Sequence, residues 1–173
     1  MLVDSHCHLN YKGLVEDQGS VLSRARASGV TAMLNISTRE SEWDEVLALA
    51  EQESDVWASV GIHPHEADAH PEIDAAKLIT RAAHPRIIAI GETGLDYYYD
   101  KSDREQQRIS FRSHIAAARE TGSIARDSYS AGVTSAFLAS EMSEAMTLGL
   151  HCFCGMPSRS MIRLTTPSES SSS

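Results

Sequence analysis

Long apolar runs, cysteine and basic residues are all scarce in this chain of 173 residues. No window approaches the roughly 20 apolar residues of a membrane-spanning helix, and no basic segment followed by an apolar run marks a secretory signal. The three cysteines are too few, and odd in number, for a disulfide framework. We therefore expect a cytoplasmic protein with no membrane partner.

Positive charge is outweighed in this sequence, because 15 lysines and arginines stand against 24 acidic residues, a net charge of −9. This balance argues against a broad basic face for nucleic acid. A local positive groove or a bound metal ion could still hold a phosphodiester. The hydrophobic content of 42% is ordinary for a globular protein. The length suits one domain.

Residues 1–122 alternate between strand-like apolar runs and segments with helical periodicity. Four strand–helix units in succession predict a parallel sheet with right-handed crossovers. Ser41 is a candidate cap for the second helix, because acidic residues follow it in the first turn. The predicted strands are 1–8, 30–37, 56–65 and 87–96, and the predicted helices are 14–29, 38–54, 72–84 and 103–122.

Two α/β architectures fit this alternation, an open doubly wound sheet and a (β/α)8 barrel. Polar side chains at the carboxyl ends of several strands favour the barrel, whose sites are built there. Because a complete barrel needs about 250 residues, we predict the N-terminal half of a TIM-type barrel, about four βα units, followed by an irregular C-terminal segment. The strand-end residues are His6, His8, His63, His65 and Glu92.

The sequence VDSHCHLN, residues 3–10, places His6 and His8 on one face of the first strand, since strand side chains alternate. Neutral imidazole is a common ligand for divalent metal ions. Asp4 lies on the same face, one step deeper, where it could orient a ligand histidine. The alternative is two ordinary histidines near a strand end.

Glu92 is an acidic residue inside an otherwise apolar strand, and such a carboxylate is costly to bury unless it meets a metal or a cation. The alternative is a structural salt bridge. His63 and His65, on either side of Pro64, could bind a substrate phosphate or transfer protons. Equally, His65 could cap the segment that follows.

The stretch LHCFCG, residues 150–155, offers His151 at what looks like another strand end. Cys152 and Cys154 beside it form a Cys-x-Cys pair, which is a weak metal signal, and free cysteine is the commoner explanation. The remaining histidines have no obvious partners, and we expect them on the surface or in packing contacts. They are His70, His84 and His114.

The motifs LVDSHCHLN, GIHPH, GETGLDYYYD and HCF-x-G occur in this order, and together they resemble the TatD family of metal-dependent hydrolases. The resemblance covers residues 1–122 almost continuously, and then a short island around His151. It implies a TIM-type barrel, one or two divalent metal ions (magnesium, manganese or zinc) and deoxyribonuclease activity on DNA. The mechanism would be attack of a metal-activated water on a phosphodiester.

The resemblance also assigns roles by position. His6 and His8 look like ligands of one metal, Glu92 like the ligand shared by both metals, and His151 like a ligand of the second. Glu92 and His63 are candidate catalytic residues, and His63 and His65 are candidates for substrate binding. Asp4 and Asp96 are expected to contact and orient the ligand side chains without binding the metal themselves.

The family pattern fails after residue 122, where a β-branched fifth strand with a P-x-V-I-H-x-R motif should follow. Residues 124–130 are IARDSYS, and a coding sequence ATTGCCCGTGATTCATACTCGG, read one base later, spells LPVIHTR. We therefore hypothesise a shifted reading frame from about residue 123, restored before HCFCG and lost again in the serine-rich end. The nucleotide sequence of codons 120–160 tests this, because a shifted frame without a histidine codon there contradicts it.

These patterns predict three segments: 1–122 as the N-terminal half of the barrel, 123–155 as a degraded continuation, and 156–173 as a disordered tail. The fifth-strand histidine of the family and the aspartate that it carries on a late strand are both missing, so we expect weak or no activity. Because a half-barrel leaves strand edges unpaired, we also expect self-association through those edges. Two alternatives stay open. One is a hydrolase of another ester, amide or small phosphoester, and the other is a non-catalytic metal-binding fragment.

Overall fold

Strands and helices alternate along the computed structural model, which describes residues 2–127 and 161–163 and the side chains of residues 2–123. Short 3₁₀ turns precede or connect several helices, at Val15–Asp17, Glu40–Glu42 and Pro64–Ala69. The regular elements in chain order are β1 (Leu2–Cys7), α1 (Gln18–Ala27), β2 (Val30–Asn35), α2 (Trp43–Gln52), β3 (Val56–Val60), α3 (Ala75–Ala82), β4 (Ile87–Thr93), α4 (Arg104–Thr121), β5 (Ile124–Asp127) and β6 (Met161–Arg163).

The strands form one sheet in the order β5-β4-β3-β2-β1-β6. Neighbouring strands from β1 to β5 are parallel, and β6 is antiparallel to β1. Each of the first five strands thus lies beside its neighbours in sequence, as in a barrel, whereas a doubly wound sheet reverses its order at a switch point. The predicted α/β fold, the N-terminal half of a TIM-type barrel with four helices, is confirmed.

The expectation that the fifth strand is missing is wrong. Ile124–Asp127 forms β5, whose residues Ile124 and Ala125 pair with Ala89 and Ile90 of β4. Strand pairing uses backbone groups, so it does not require the β-branched run that the sequence lacks. Within the segment predicted as a disordered tail, residues 161–163 form β6, and the other residues of that segment lie outside the described part of the chain.

The core lies mainly between the sheet and its helices, where apolar side chains of β3 such as Val56, Ala58 and Val60 are fully buried. Helix α2 contributes one buried face at helical spacing, which includes Trp43, Val46, Leu49 and Ala50. A smaller cluster, formed by Leu34, Ile36 and Ala89, contains strand and strand-end residues alone. The sheet thus contributes apolar side chains to two clusters, as is typical of a parallel sheet that is buried on both faces.

Several predicted boundaries shift in the structure. Strand β3 ends at Val60 and β4 at Thr93, so the polar residues beyond them lie in loops rather than on strands. Ser41 is not the cap of α2, because it lies within the 3₁₀ turn and no side chain caps that helix. Gly122 ends α4 as predicted, in a left-handed conformation with φ of 67°.

Gly61, directly after β3, leaves no room for a side chain. A Cβ atom there would lie 2.4 to 2.6 Å from backbone atoms of Gly91, the residue before Glu92. Gly61→Ala should therefore destabilise the protein by about 1–3 kcal/mol or prevent folding, because backbone atoms must move. Urea unfolding measures this effect.

The matched control is Gly19→Ala in helix α1, where a Cβ atom meets nothing within 4 Å. Alanine should stabilise that exposed helical position by about 0.5–1 kcal/mol. Equal effects of the two substitutions would contradict the close approach of Gly61, directly after β3, to Gly91 within β4.

Candidate metal centre at the strand ends

The structure brings His6 and His8 at the end of β1 together with Glu92 near the end of β4. One ligand atom from each of the three residues lies within 4.8 Å of the other two. Two strands separate β1 from β4, so in a flat sheet the two would be about 14 Å apart at roughly 4.8 Å per strand. The curl of the sheet and the inward direction of these side chains close that gap.

The distances place nitrogen and oxygen atoms around a common point. His6 Nε2 is 3.6 Å from Glu92 Oε1, and His8 Nε2 is 3.6 Å from Glu92 Oε2. The two Nε2 atoms are 3.3 Å apart. Two imidazole nitrogens and a carboxylate form the kind of donor set that binds zinc and similar ions. The residues present therefore fit a divalent metal ion.

His8 is held in the form that a metal ligand needs. Its Nδ1–H donates to the carbonyl oxygen of Ile36 at 3.1 Å, which leaves the lone pair on Nε2 facing Glu92. Burial lowers the pKa of His8, although the charge of Glu92 opposes this, so the neutral ring is favoured. The ring of Tyr11 stacks on His8 at 4.4 Å and fixes its plane.

Glu92 is buried, with 7% of its surface exposed. Burial alone would raise its pKa, but the hydrogen bond and positive field of His6, with contributions from His63 and His8, lower the pKa overall. The side chain is thus an anion among imidazoles. Its backbone N–H donates to the carbonyl of Ser37 at 2.9 Å, which anchors the residue to the loop after β2.

Asp4 supports His6 through the main chain rather than through the imidazole. Its Oδ1 accepts the backbone N–H of His6 at 3.1 Å. Burial raises the pKa of Asp4, and the bond to His6 only partly offsets this effect. The side chain of Asp4 therefore fixes the backbone at His6.

His63 and His65 follow β3 and lie edge to face, with ring centroids 4.4 Å apart. His63 Nδ1 accepts the backbone N–H of His65 at 3.1 Å, so His63, and not His65, caps the 3₁₀ turn Pro64–Ala69. In the neutral ring the proton is then on Nε2. Burial lowers the pKa of His63, against the opposing charge of Glu92, which favours that neutral form.

Asp96, which is 2% exposed, joins His65 to the loop after β4. One carboxylate oxygen contacts His65 Nε2, and the other accepts the backbone N–H groups of Tyr98 and Tyr99 at 2.9 and 3.0 Å. Burial raises the pKa of Asp96, but the bonds from Tyr99 and His65 outweigh it, and the pKa is lowered. Asp96 thus supports His65.

Two buried polar residues of α4 were not predicted as parts of the site. Gln107 accepts the backbone N–H of Asp96 at 2.7 Å and donates to its carbonyl at 3.1 Å. His114 is fully buried, and its Nε2 accepts the backbone N–H of Ile62, next to His63, at 2.9 Å. The sequence signal for these two residues was a row of mainly polar side chains at helical spacing on the buried face of α4. The row consists of Gln107, Ser110, His114 and Ala117.

The other candidates lie apart from this centre or outside the described residues. His151, Cys152 and Cys154 belong to the latter group. His70 donates from Nδ1 to the carbonyl of Glu66 at 2.9 Å, and His84 lies 3.2 Å from Glu51.

A cleft of about 340 Å³ between α2 and α3 is lined by residues such as Lys77 and Arg81 and by none of the predicted site residues. Among the described helices, none has the length and apolar character to cross a membrane.

Comparison with known proteins finds a family and several relatives. The family described as TatD related DNase matches residues 3–162. A Bacillus subtilis protein, "Uncharacterized metal-dependent hydrolase YabD", is 34% identical over 159 residues, which cover 90% of this chain and 62% of that protein. The "3'-5' ssDNA/RNA exonuclease TatD" of Erwinia tasmaniensis is 38% identical over 120 residues, 69% of this chain and 46% of that protein.

A solved structure shares the fold. The Escherichia coli k12 protein YJJV, titled a TATD homolog, superposes with a TM-score of 0.61 at 24% identity, over 72% of this chain and 49% of that chain. The chain spans about half the length of these relatives, between 46% and 62% of the two sequences.

Proposed function

Because the chain belongs to the TatD-related DNase family, we propose that it is a metal-dependent hydrolase that cleaves phosphodiester bonds of DNA. The observation that carries this proposal is the convergence of His6 Nε2, His8 Nε2 and the Glu92 carboxylate at the mouth of the half-barrel. The relative from Erwinia tasmaniensis is named an exonuclease on single-stranded DNA and RNA, which supports a nucleic-acid substrate.

His6, His8 and Glu92 would hold one or two divalent ions, with Glu92 as the shared ligand. Such an ion lowers the pKa of a water molecule and offsets negative charge on a phosphate. Imidazole nitrogen suits zinc better than magnesium, so this donor set favours zinc, with manganese and magnesium as the other candidates. A bound cation would also reconcile a DNA substrate with the net charge of −9.

We propose that His63 contacts the substrate. Its Nδ1 is occupied by the backbone N–H of His65, so a neutral His63 presents Nε2–H as a hydrogen-bond donor. We propose that this donor binds a phosphate oxygen of the substrate and stabilises its negative charge. His65 is turned toward Asp96, so its part in substrate binding is to hold the loop.

The reading-frame hypothesis remains a proposal, and so does the division of the chain at residue 122. Asp127, the last residue of β5, pairs with Thr93, which directly follows Glu92. The shifted frame places its histidine codon at position 128, one residue further. A histidine there would follow the strand that lies beside Glu92, and His151 would remain the proposed ligand of a second ion. Self-association through strand edges likewise stays a prediction.

The function is tested on the full chain, stripped of metal and then supplied with zinc, manganese or magnesium. We expect about one tightly bound ion or more per chain and, because ligands of the family pattern are missing, only slow metal-dependent release of nucleotides from an end-labelled single strand. The same preparations are assayed with p-nitrophenyl phosphate esters. Preference for the small ester would favour the other hydrolase class, and less than one bound ion without turnover would favour a non-catalytic fragment.

A further inference from the structure

Three consecutive tyrosines lie in the loop after β4, the strand that carries Glu92, and are exposed to solvent. Tyr97 is 40% exposed, Tyr98 86% and Tyr99 59%. Aromatic side chains bury large apolar areas and dominate binding energies, so an exposed cluster marks a surface that contacts something else. Neither the core nor the proposed hydrolytic chemistry uses these rings.

The loop that bears the tyrosines is held in place. Asp96 accepts the backbone N–H groups of Tyr98 and Tyr99. Gln107 spans the loop from inside, because its Nε2 donates to the carbonyls of Asp96 at 3.1 Å and Ser102 at 2.8 Å. Since the backbone is fixed at both ends, the loop itself loses little conformational freedom when the rings bind a ligand.

The rings connect to the site through short aromatic contacts. Tyr98 and Tyr99 are 4.8 Å apart and nearly perpendicular, and Tyr99 lies 5.7 Å from the ring of His65. His65 in turn contacts His63, whose pKa responds to the charge of Glu92. A chain of rings thus runs from the solvent to His63.

Cations lie among these rings. Lys101 Nζ is 5.9 Å from the ring of Tyr99. Tyr97 differs from its neighbours, because Arg104 and Arg108 approach its ring at 4.8 and 5.7 Å and Arg108 Nε donates to its hydroxyl. Aromatic faces beside positive charge suit a polymer that alternates flat bases with phosphates.

We propose that Tyr98 and Tyr99 form a stacking platform for unpaired nucleobases, with Lys101 contacting the phosphate backbone. This rests on the proposed function, and it adds the residues of this chain that would recognise unpaired bases. In a duplex the bases stack on one another and are unavailable to protein rings, so the platform selects against double-stranded nucleic acid. Tyr97, covered by two arginines, is not part of the platform.

Binding in the absence of hydrolysis tests the platform. The full chain in EDTA is titrated against fluorescently labelled oligothymidylate of 15 nucleotides, the matching duplex, and a 15-mer of abasic sites, with anisotropy as the readout. We expect tighter binding of the single strand than of either of the other two. The abasic oligomer has the same phosphates, so it separates stacking from charge.

The double variant Tyr98→Leu/Tyr99→Leu should bind the single strand at least about tenfold more weakly, since each stacked base contributes through ring contact. Tyr98→Phe/Tyr99→Phe keeps the rings and should bind like the wild type. Because the rings are exposed, circular dichroism and the unfolding midpoint should be unchanged. Three results would each overturn the platform. The leucine variant could bind the single strand as tightly as the wild type does, or the wild type could bind the abasic oligomer as tightly as the single strand. The third is that the wild type binds no oligonucleotide.

Failure of the platform is distinguishable from failure of the proposed function. If the wild type cleaves DNA with metal but the leucine variant keeps the same KM for single strands, the platform is wrong and the hydrolase stands. If single strands bind through the tyrosines but no metal-dependent cleavage occurs, the platform stands and the hydrolase proposal fails.

Discussion

Replacing Glu92 by glutamine is expected to weaken the binding of a divalent metal ion by about 100-fold or more, because even residues behind the ligands typically contribute 10–100-fold. Glu92 supplies the only carboxylate in the cluster formed with His6 and His8. Glutamine has nearly the same shape but no charge, so the two imidazoles would remain without the anion between them.

The measurement is competition between the metal-free chain and a chelating dye for zinc and for manganese. Glu45→Gln is the matched control, because Glu45 is exposed on α2 and makes the same change of charge. The control should bind metal like the wild type. Hydrolysis, if present in the wild type, should fall with metal occupancy in Glu92→Gln and be partly restored at high metal concentration.

Equal metal affinity of Glu92→Gln and the wild type would show that this cluster is not the metal centre. Circular dichroism of both variants in EDTA checks that the comparison concerns binding and not folding. Glutamine removes a buried anion without changing the volume of the site, so we expect the metal-free fold to persist.

Acidification from pH 6.5 to pH 4 is expected to cost the protein about 3 kcal/mol of unfolding free energy through His114 alone, at about 1.4 kcal/mol per pKa unit. Burial lowers the pKa of His114 to about 4, partly opposed by its bond to the carbonyl of Ser110. In the unfolded chain the pKa is about 6.5. Between pH 6.5 and pH 4 the imidazole is protonated in the unfolded chain but neutral in the folded one. The contribution of His114 to the unfolding free energy is therefore fully present above pH 6.5 and is lost as the pH falls toward 4.

The cause is geometric. His114 Nε2 accepts the N–H of Ile62, and Nδ1–H donates to Ser110 at 2.7 Å, so both nitrogens are satisfied only in the neutral ring. Protonation would place two donors, Nε2–H and the N–H of Ile62, against each other in a buried site. The contact joins α4 to the loop that leads to His63.

Urea unfolding of the wild type and of His114→Gln at pH 7 and at pH 4.5 measures this contribution. The wild type should lose more stability than the variant, because glutamine does not titrate. His84→Gln is the matched control, since His84 is only partly buried and lies beside Glu51. A wild type and His114→Gln with the same pH dependence would show that His114 does not carry this effect.

The sequence by itself determined the class of fold and the order of its functional groups. Apolar runs alternating with helical segments give four βα units, because strand and helix periodicities are local properties. The His-x-His pair at residues 6 and 8 and the acidic residue in an apolar strand could be recognised because each pattern involves only residues that are close in the sequence. Stop signals such as Gly122 were equally local.

Only the tertiary structure decided which of these groups meet. His8 and Glu92 are separated by 84 positions, and the curl of the sheet, which no local pattern encodes, brings them within 3.6 Å. Gln107 and His114 are polar residues whose helical face is buried because of contacts to the loops after β4 and β3. Strand β5 forms because an open edge of β4 offers backbone partners, although its side chains carry little strand propensity.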